Sequence, residues 1–159
     1  MFKSQIKIMI LSVALGSMAM AADNPFTGKW KIDAPKSSWS DGKFPKNMSL
    51  EINMSFKGDE LTYHSINDTN KEKQPSLVDY TAKMDWKPFD LAGTTGRYNK
   101  VAVRMLGKNE IEVLELKDED VIVGAIYELL PGGKRFVRRG IAKGVDGKSH
   151  EYEEFFDKR

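Results

Sequence analysis

The chain has 159 residues, room for one domain or a small pair, and its 40% hydrophobic and 10% aromatic content excludes wholesale disorder. Its formal charge of +2 disappears when residues 1–21 are set aside, because Lys3 and Lys7 leave with them and 23 basic residues then face 23 acidic ones. A neutral chain offers no electrostatic footing for nucleic acid or an anionic membrane. Cysteine is absent, which excludes disulfides, thiolate metal sites, cysteine nucleophiles and a lipid-anchored N-terminal cysteine.

Residues 1–21 read as a signal peptide. Lys3 and Lys7 form a short basic region, an apolar run follows from Ile8 through Leu15, and Ala19-Met20-Ala21 fits the small-x-small rule for cleavage before Ala22. The run is short against the roughly 20 residues a bilayer span needs, so export is expected and stable membrane insertion after cleavage is not. The expected compartment is a bacterial periplasm or the extracellular space, and residues 22–159 form the single mature domain.

Within that domain, segment 34–42 lacks strand character; Pro35 and the serines support one short helical turn. Segment 48–56 alternates apolar and polar residues at every step, the period of a strand with one buried face. Residues 57–60 turn the chain, 61–67 return as the partner strand, and 68–71 turn again before 76–85, where Val78, Tyr80, Ala82 and Met84 share a face. Lys87-Pro88 breaks that strand; 89–91 form a short piece before a loop at 93–96. Strands are then expected at 100–106, 110–117, 121–130, 136–143 and 149–157, separated by turns at 107–109, 118–120, 131–133 and 146–147. Faces are ambiguous where apolar residues adjoin, as at Val113-Leu114 and Leu129-Leu130.

About eight to ten antiparallel strands with short connections, no internal repeat and no linker define an all-β domain. An open sheet of that size would expose two edges, so closure into an up-and-down barrel is favoured over a sandwich, whose Greek-key crossovers are missing.

Two groups of residues bring a family into view. Phe26-Thr27-Gly28-Lys29-Trp30-Lys31-Ile32, followed by Lys36-Ser37, resembles the Gly-x-Trp first strand of lipocalins and related calycin barrels. The resemblance implies that Trp30 plugs the barrel floor and that a cation from the last strand, here Lys158, lies over its ring. Tyr80-Thr81-Ala82-Lys83-Met84-Asp85, Asp146-Gly147-Lys148 and Phe156-Asp157-Lys158 add a closer resemblance to small exported bacterial proteins with a lipocalin-like domain, largely of unassigned function. It spans essentially all of residues 24–159 and implies a fold and a compartment rather than a reaction. Trp86 departs from the pattern, standing where a turn glycine is expected.

Motifs of catalysis are missing. The two histidines, His64 and His150, show no metal-ligand spacing and read as surface or rim residues. Neither a Gly-x-Ser-x-Gly elbow nor a phosphate-binding glycine loop is present. Glu112 and Glu115, and Glu153 and Glu154, lie in strands where charged residues ordinarily face solvent. Arg138 and Arg139 are adjacent in a strand, so one faces inward; Phe136, Gly140 and Ala142 select Arg138. Its partner is either an anionic ligand head group, with Tyr152 assisting in the manner of fatty-acid-binding barrels, or an internal carboxylate, Glu128 or Glu154.

Tyr63, Tyr80, Met84, Met105 and Tyr127 also face inward and either fill the barrel or line a cavity. Together with Arg138 and Tyr152 they form the expected ligand-binding set, while Gly28, Trp30 and Lys158 form the expected closure of the floor. The favoured reading is a monomeric barrel that binds or carries a small apolar or amphiphilic molecule, without cofactor, metal or nucleic-acid partner. A cofactor-free isomerase, cyclase or hydrolase working in the cavity, and a solid barrel that binds an envelope partner through its rim, are the alternatives.

Overall fold

The structure, a computed structural model, describes residues 23–92, 97–144 and 146–159. The leader expected over 1–21 and the loop expected at 93–96 lie outside the described residues. Among the described residues, the strands are β1 (Gly28–Ile32), β2 (Ser38–Trp39), β3 (Leu50–Lys57), β4 (Glu60–Asn67), β5 (Ser76–Lys83) and β6 (Phe89–Asp90). They continue as β7 (Lys100–Gly107), β8 (Glu110–Lys117), β9 (Asp120–Leu129), β10 (Arg135–Lys143) and β11 (Ser149–Lys158). β3 shows the rule plainly: Leu50, Ile52 and Met54 are buried, while Glu51, Asn53 and Ser55 between them are exposed.

All strands belong to one antiparallel sheet in the order β5-β4-β3-β1-β11-β10-β9-β8-β7-β6, with β2 added to β11. Chain neighbours are sheet neighbours nearly throughout. The exception closes the circle, because β1 enters between β3 and β11, pairing Trp30 with both Ile52 and Lys158. The result is an all-β, nearly closed ten-strand barrel. Its seam lies between β5 and β7. There the Trp86 N–H donates to the Val103 carbonyl (3.1 Å), and Ala82, Tyr98 and Val101 form a small apolar cluster of their own.

Trp86 holds a left-handed backbone (φ 65°), the conformation for which a glycine was expected. A side chain there costs about 1–2 kcal/mol. The Arg104 guanidinium, 4.2 Å from the indole centroid and paired with Glu112, offsets part of that cost.

Segment 34–42 holds a short 3-10 turn (Ala34–Lys36), as expected, and also β2, which was not. The Ser37 hydroxyl donates to the Asp33 carbonyl (2.9 Å) and accepts the Phe155 N–H (3.0 Å), fastening the segment to β11. Trp39 then pairs with Tyr152 across the short ladder.

The floor of the barrel is a packed aromatic layer. Trp30 is fully buried, and its indole N–H donates to the Phe26 carbonyl at 2.8 Å. Phe136 sits at the layer's centre, 4.9 Å from Trp30, 4.7 Å from Phe156 and 5.5 Å from Tyr127 between ring centroids. Each such phenylalanine contributes about 1.5–3 kcal/mol by leaving water. Lys158 lies over Trp30 with its Nζ 5.1 Å from the ring centroid. Gly28 makes this possible, because a Cβ at its φ of 130° would stand 3.0 Å from the Lys158 Cε.

Candidate ligand-binding site

Above the aromatic floor the barrel is hollow. A cavity of about 890 Å³ opens at the end formed by the β4–β5, β8–β9 and β10–β11 connections. Its size falls within the range of small-molecule sites, roughly 300–1,000 Å³. Leu50, Val78, Ile122, Val123 and Ala142 supply apolar wall. Ile122 reaches it through a β-bulge: the β8–β9 register passes from Glu115↔Val123 to Leu116↔Val121, leaving Ile122 unpaired and turned inward beside Val123.

Of the seven residues expected to bind ligand, Tyr63, Arg138 and Tyr152 line this cavity. Tyr80 stands against Tyr63, ring on ring at 5.0 Å, and Tyr127 stacks on Phe136 in the floor. Met84 and Met105 are a correction to the expected wall: they lie toward the floor end. The Met84 N–H donates to Asp59 in the β3–β4 turn, and the Met105 sulfur accepts the Asn24 amide. Alternation gave their face correctly but not their height along the barrel.

Arg138 faces inward together with Phe136, Gly140 and Ala142, and its partner is Glu154, directly opposite on β11. Its Nε (2.9 Å) and Nη2 both donate to Oε2 of Glu154, while Oε1 accepts the Trp39 indole N–H at 2.9 Å. The pair is almost dry, with side chains 15% and 4% exposed. Burial is the largest single influence and works against the arginine's charge, but Glu154, joined by Tyr127, Tyr152 and Tyr63, outweighs it and holds the guanidinium protonated. Of the partners open to Arg138 in the sequence, Glu154 is the observed one. Glu128 pairs outside the barrel with Arg139 (2.7 Å), as does Glu153 (2.6 Å).

Two carboxylates read as solvent-facing are therefore interior. Glu154 is 3% exposed, between Tyr152 and Phe156 on the inward face of β11. Glu115 lines the cavity from β8, in phase with buried Ile111 and Val113. Burial raises its pKa; Arg138 and then Arg97 act in the opposite sense, and Glu154 adds to the rise. The period-two signal pointed to both residues, and the general habit of charged side chains masked it. Ser65 and Tyr98 also reach the wall from β4 and from the segment before β7.

Gly140 has a specific role. A Cβ there would fall 2.2 Å from the Gly124 carbonyl oxygen and 2.9 Å from the Tyr152 hydroxyl, so its absence is what lets Tyr152 lie across β10. Of the histidines, His64 pairs with Asp79 (2.5 Å) on the outer face, and His150 packs at a tilt against Trp39 (5.2 Å between ring centroids) at the cavity rim. Among the described residues no three His, Asp or Glu side chains converge as metal ligands do.

A nearly closed ten-strand barrel with a lateral seam and an interior cavity defines a fatty-acid-binding-protein-like fold. The chain is similar to zebrafish ileal bile acid-binding protein solved with cholic acid, at 17% identity and a TM-score of 0.58 over 85% of this chain and 99% of that one. It is likewise similar to the Schistosoma mansoni fatty acid binding protein solved with arachidonic acid, at 16% identity and TM-score 0.59 over 91% and 99%. Apo lipid binding protein 8 of Caenorhabditis elegans gives 13% and 0.54 over 89% and 100%. No protein-family model and no curated protein sequence matches the chain. At these identities the likeness is one of fold.

Proposed function

We propose that the chain binds and carries a small amphiphilic molecule in the barrel cavity, outside the cytoplasm. The observation that carries the reading is the cavity of about 890 Å³ above a packed floor, with apolar lining from β3, β5, β9 and β10 and polar groups at Arg138, Tyr63 and Tyr152. An apolar body would leave water against Leu50, Val78, Ile122 and Val123, at about 25 cal/mol for each Å² covered. The few polar groups would then fix its orientation. The relatives in fold that were solved with cholic and arachidonic acid support the reading, as does the sequence of residues 1–21 for the compartment. The resemblance to exported bacterial lipocalin-like proteins points the same way.

Native mass spectrometry of the protein recovered from the envelope or medium of its producing cells tests this. The expected result is a bound small molecule that organic solvent releases. A clean apo mass that persists after incubation with fatty acids, sterols and isoprenoids overturns the carrier reading.

A further inference from the structure

We infer that Glu115 is the acceptor for the ligand's head group, and that the amphiphile carries a hydrogen-bond-donating head, an amine or a hydroxyl, rather than a carboxylate. The inference rests on the cavity reading above and narrows it to a ligand class.

Arg138, Glu154 and Glu115 are the charged side chains set deepest in the barrel, and Arg97, Lys117, Asp120, Lys143 and His150 surround the mouth. Arg138 and Glu154 complete one another: the guanidinium takes one carboxylate oxygen, and the Trp39 indole occupies the other. Neither charge is left for a ligand to answer without breaking a buried pair. Glu115 is different. It reaches the cavity from β8, two residues beyond buried Val113 toward the β8–β9 connection at the mouth, and opposite Val123 in register. Among the described residues, no side chain hydrogen-bonds it. Burial is the main influence on its ionisation, and Arg138 and Arg97 act on it through space alone.

At the mouth Arg97, Lys117 and Lys143 also line the cavity, but none of them hydrogen-bonds Glu115. Lys143 is paired with Asp120 at 2.6 Å, and Arg97 extends an Nη2 toward the Lys143 carbonyl. Of the groups set deepest, two carboxylates thus face one arginine, while Arg97 and Lys117 stand exposed at the mouth. A fatty-acid anion would add a further buried charge beside it, which low-dielectric surroundings penalise heavily. An ammonium or hydroxyl would instead donate to Glu115 and complete it, and charge-assisted bonds of this kind are the stronger ones. Loose apolar contact on Val78 and Leu50 is indifferent to the head; Glu115 is where head groups are told apart.

Displacement of the neutral dye N-phenyl-1-naphthylamine by dodecylamine, 1-dodecanol and dodecanoate, all below their micellar concentrations, tests the assignment. Dodecylamine or dodecanol is expected to displace the dye at a concentration about tenfold or more below that of dodecanoate. Whichever of the two is tighter identifies a cationic or a neutral head. In Glu115→Gln that preference should shrink about tenfold, with circular dichroism verifying the barrel. Dodecanoate binding as tightly as the others in the wild type, or an unchanged ranking in a folded Glu115→Gln, overturns the inference while leaving the carrier reading intact. Failure of the dye and all three probes to bind overturns the carrier reading, and this inference with it. Should Glu115→Gln fail to fold, the wild-type ranking alone decides.

Discussion

Two glycines on adjacent strands, β9 and β10, differ in what a Cβ would meet. A Cβ at Gly140 would meet the Gly124 carbonyl oxygen at 2.2 Å, and backbone cannot swing aside as a side chain can. A Cβ at Gly124 meets only the Leu114 Cδ2, at 3.5 Å, which is ordinary contact. Gly140→Ala is therefore expected to lose about 1–3 kcal/mol in urea unfolding, as overpacking does, whereas Gly124→Ala should stay within about 1 kcal/mol of wild type. Equal effects at the two positions would contradict the packing described around Tyr152. The Arg138–Glu154 pair permits a second comparison. Glu154→Leu alone strands a buried guanidinium and should cost about 3–5 kcal/mol. Arg138→Met combined with Glu154→Leu should recover most of that. The remainder is about 1 kcal/mol, because the Trp39 N–H still loses its acceptor. A double variant no better than the single one would show that the pair is not the unit described.

Among the elements, the seam sets β5 apart. β10 is bonded on both sides, to β9 and β11, while β5 is bonded on one side to β4 and meets β7 through side chains and the Trp86–Val103 bond that follows it. Amide hydrogen exchange is expected to be fastest along the free side of β5 and slowest in β10, with Trp86→Gly changing rates at the seam more than elsewhere. Uniform protection across β5 and β10 would mean the seam is closed more tightly than its bonding shows. The strands themselves were legible because a period of two reports a half-buried strand directly; β8 spans 110–117 as expected, and β10 and β11 begin and end within a residue of expectation. β2 was not legible, since two residues carry no period and Ser38-Trp39 pairs only because Tyr152 and Glu153 stand ready on β11. Site residues divide on the same principle. Arg138 was readable from the phase of Phe136 and Ala142. Glu115 carried the same signal through Ile111 and Val113, but its neighbours Leu114 and Leu116 made the opposite face look equally apolar. Height along the barrel, which separates Tyr63 from Met84, depends on register between strands and has no counterpart in a single segment's pattern.

At the scale of the whole molecule, the five tyrosines of the chain turn out to share one environment. Tyr63, Tyr80, Tyr98, Tyr127 and Tyr152 all point into the barrel, and all have pKa values raised above the ordinary value of 10.0, burial being the largest cause in each. Arg138 works against the rise at four of them, and the phenols reinforce one another. The sign of the consequence follows from proton counting. Below pH 10 folded and unfolded chains hold the same phenolic protons, and these groups contribute nothing to the pH dependence. Above it the unfolded chain releases protons that the barrel retains, so stability falls as pH rises. Each retained phenol removes about 1.4 kcal/mol per pH unit, and five together at most about 7. Against a typical domain stability of about 5–15 kcal/mol, the barrel should open within roughly one to three pH units above 10. Phenolate absorbance should then stay flat past pH 10 and rise in one step, coincident with the loss of the β-sheet circular dichroism signal. Gradual ionisation centred near pH 10 with the sheet signal intact would show instead that solvent reaches these phenols through the mouth, and that the hollow end of the barrel is wider than the packing around Tyr63 and Tyr152 allows.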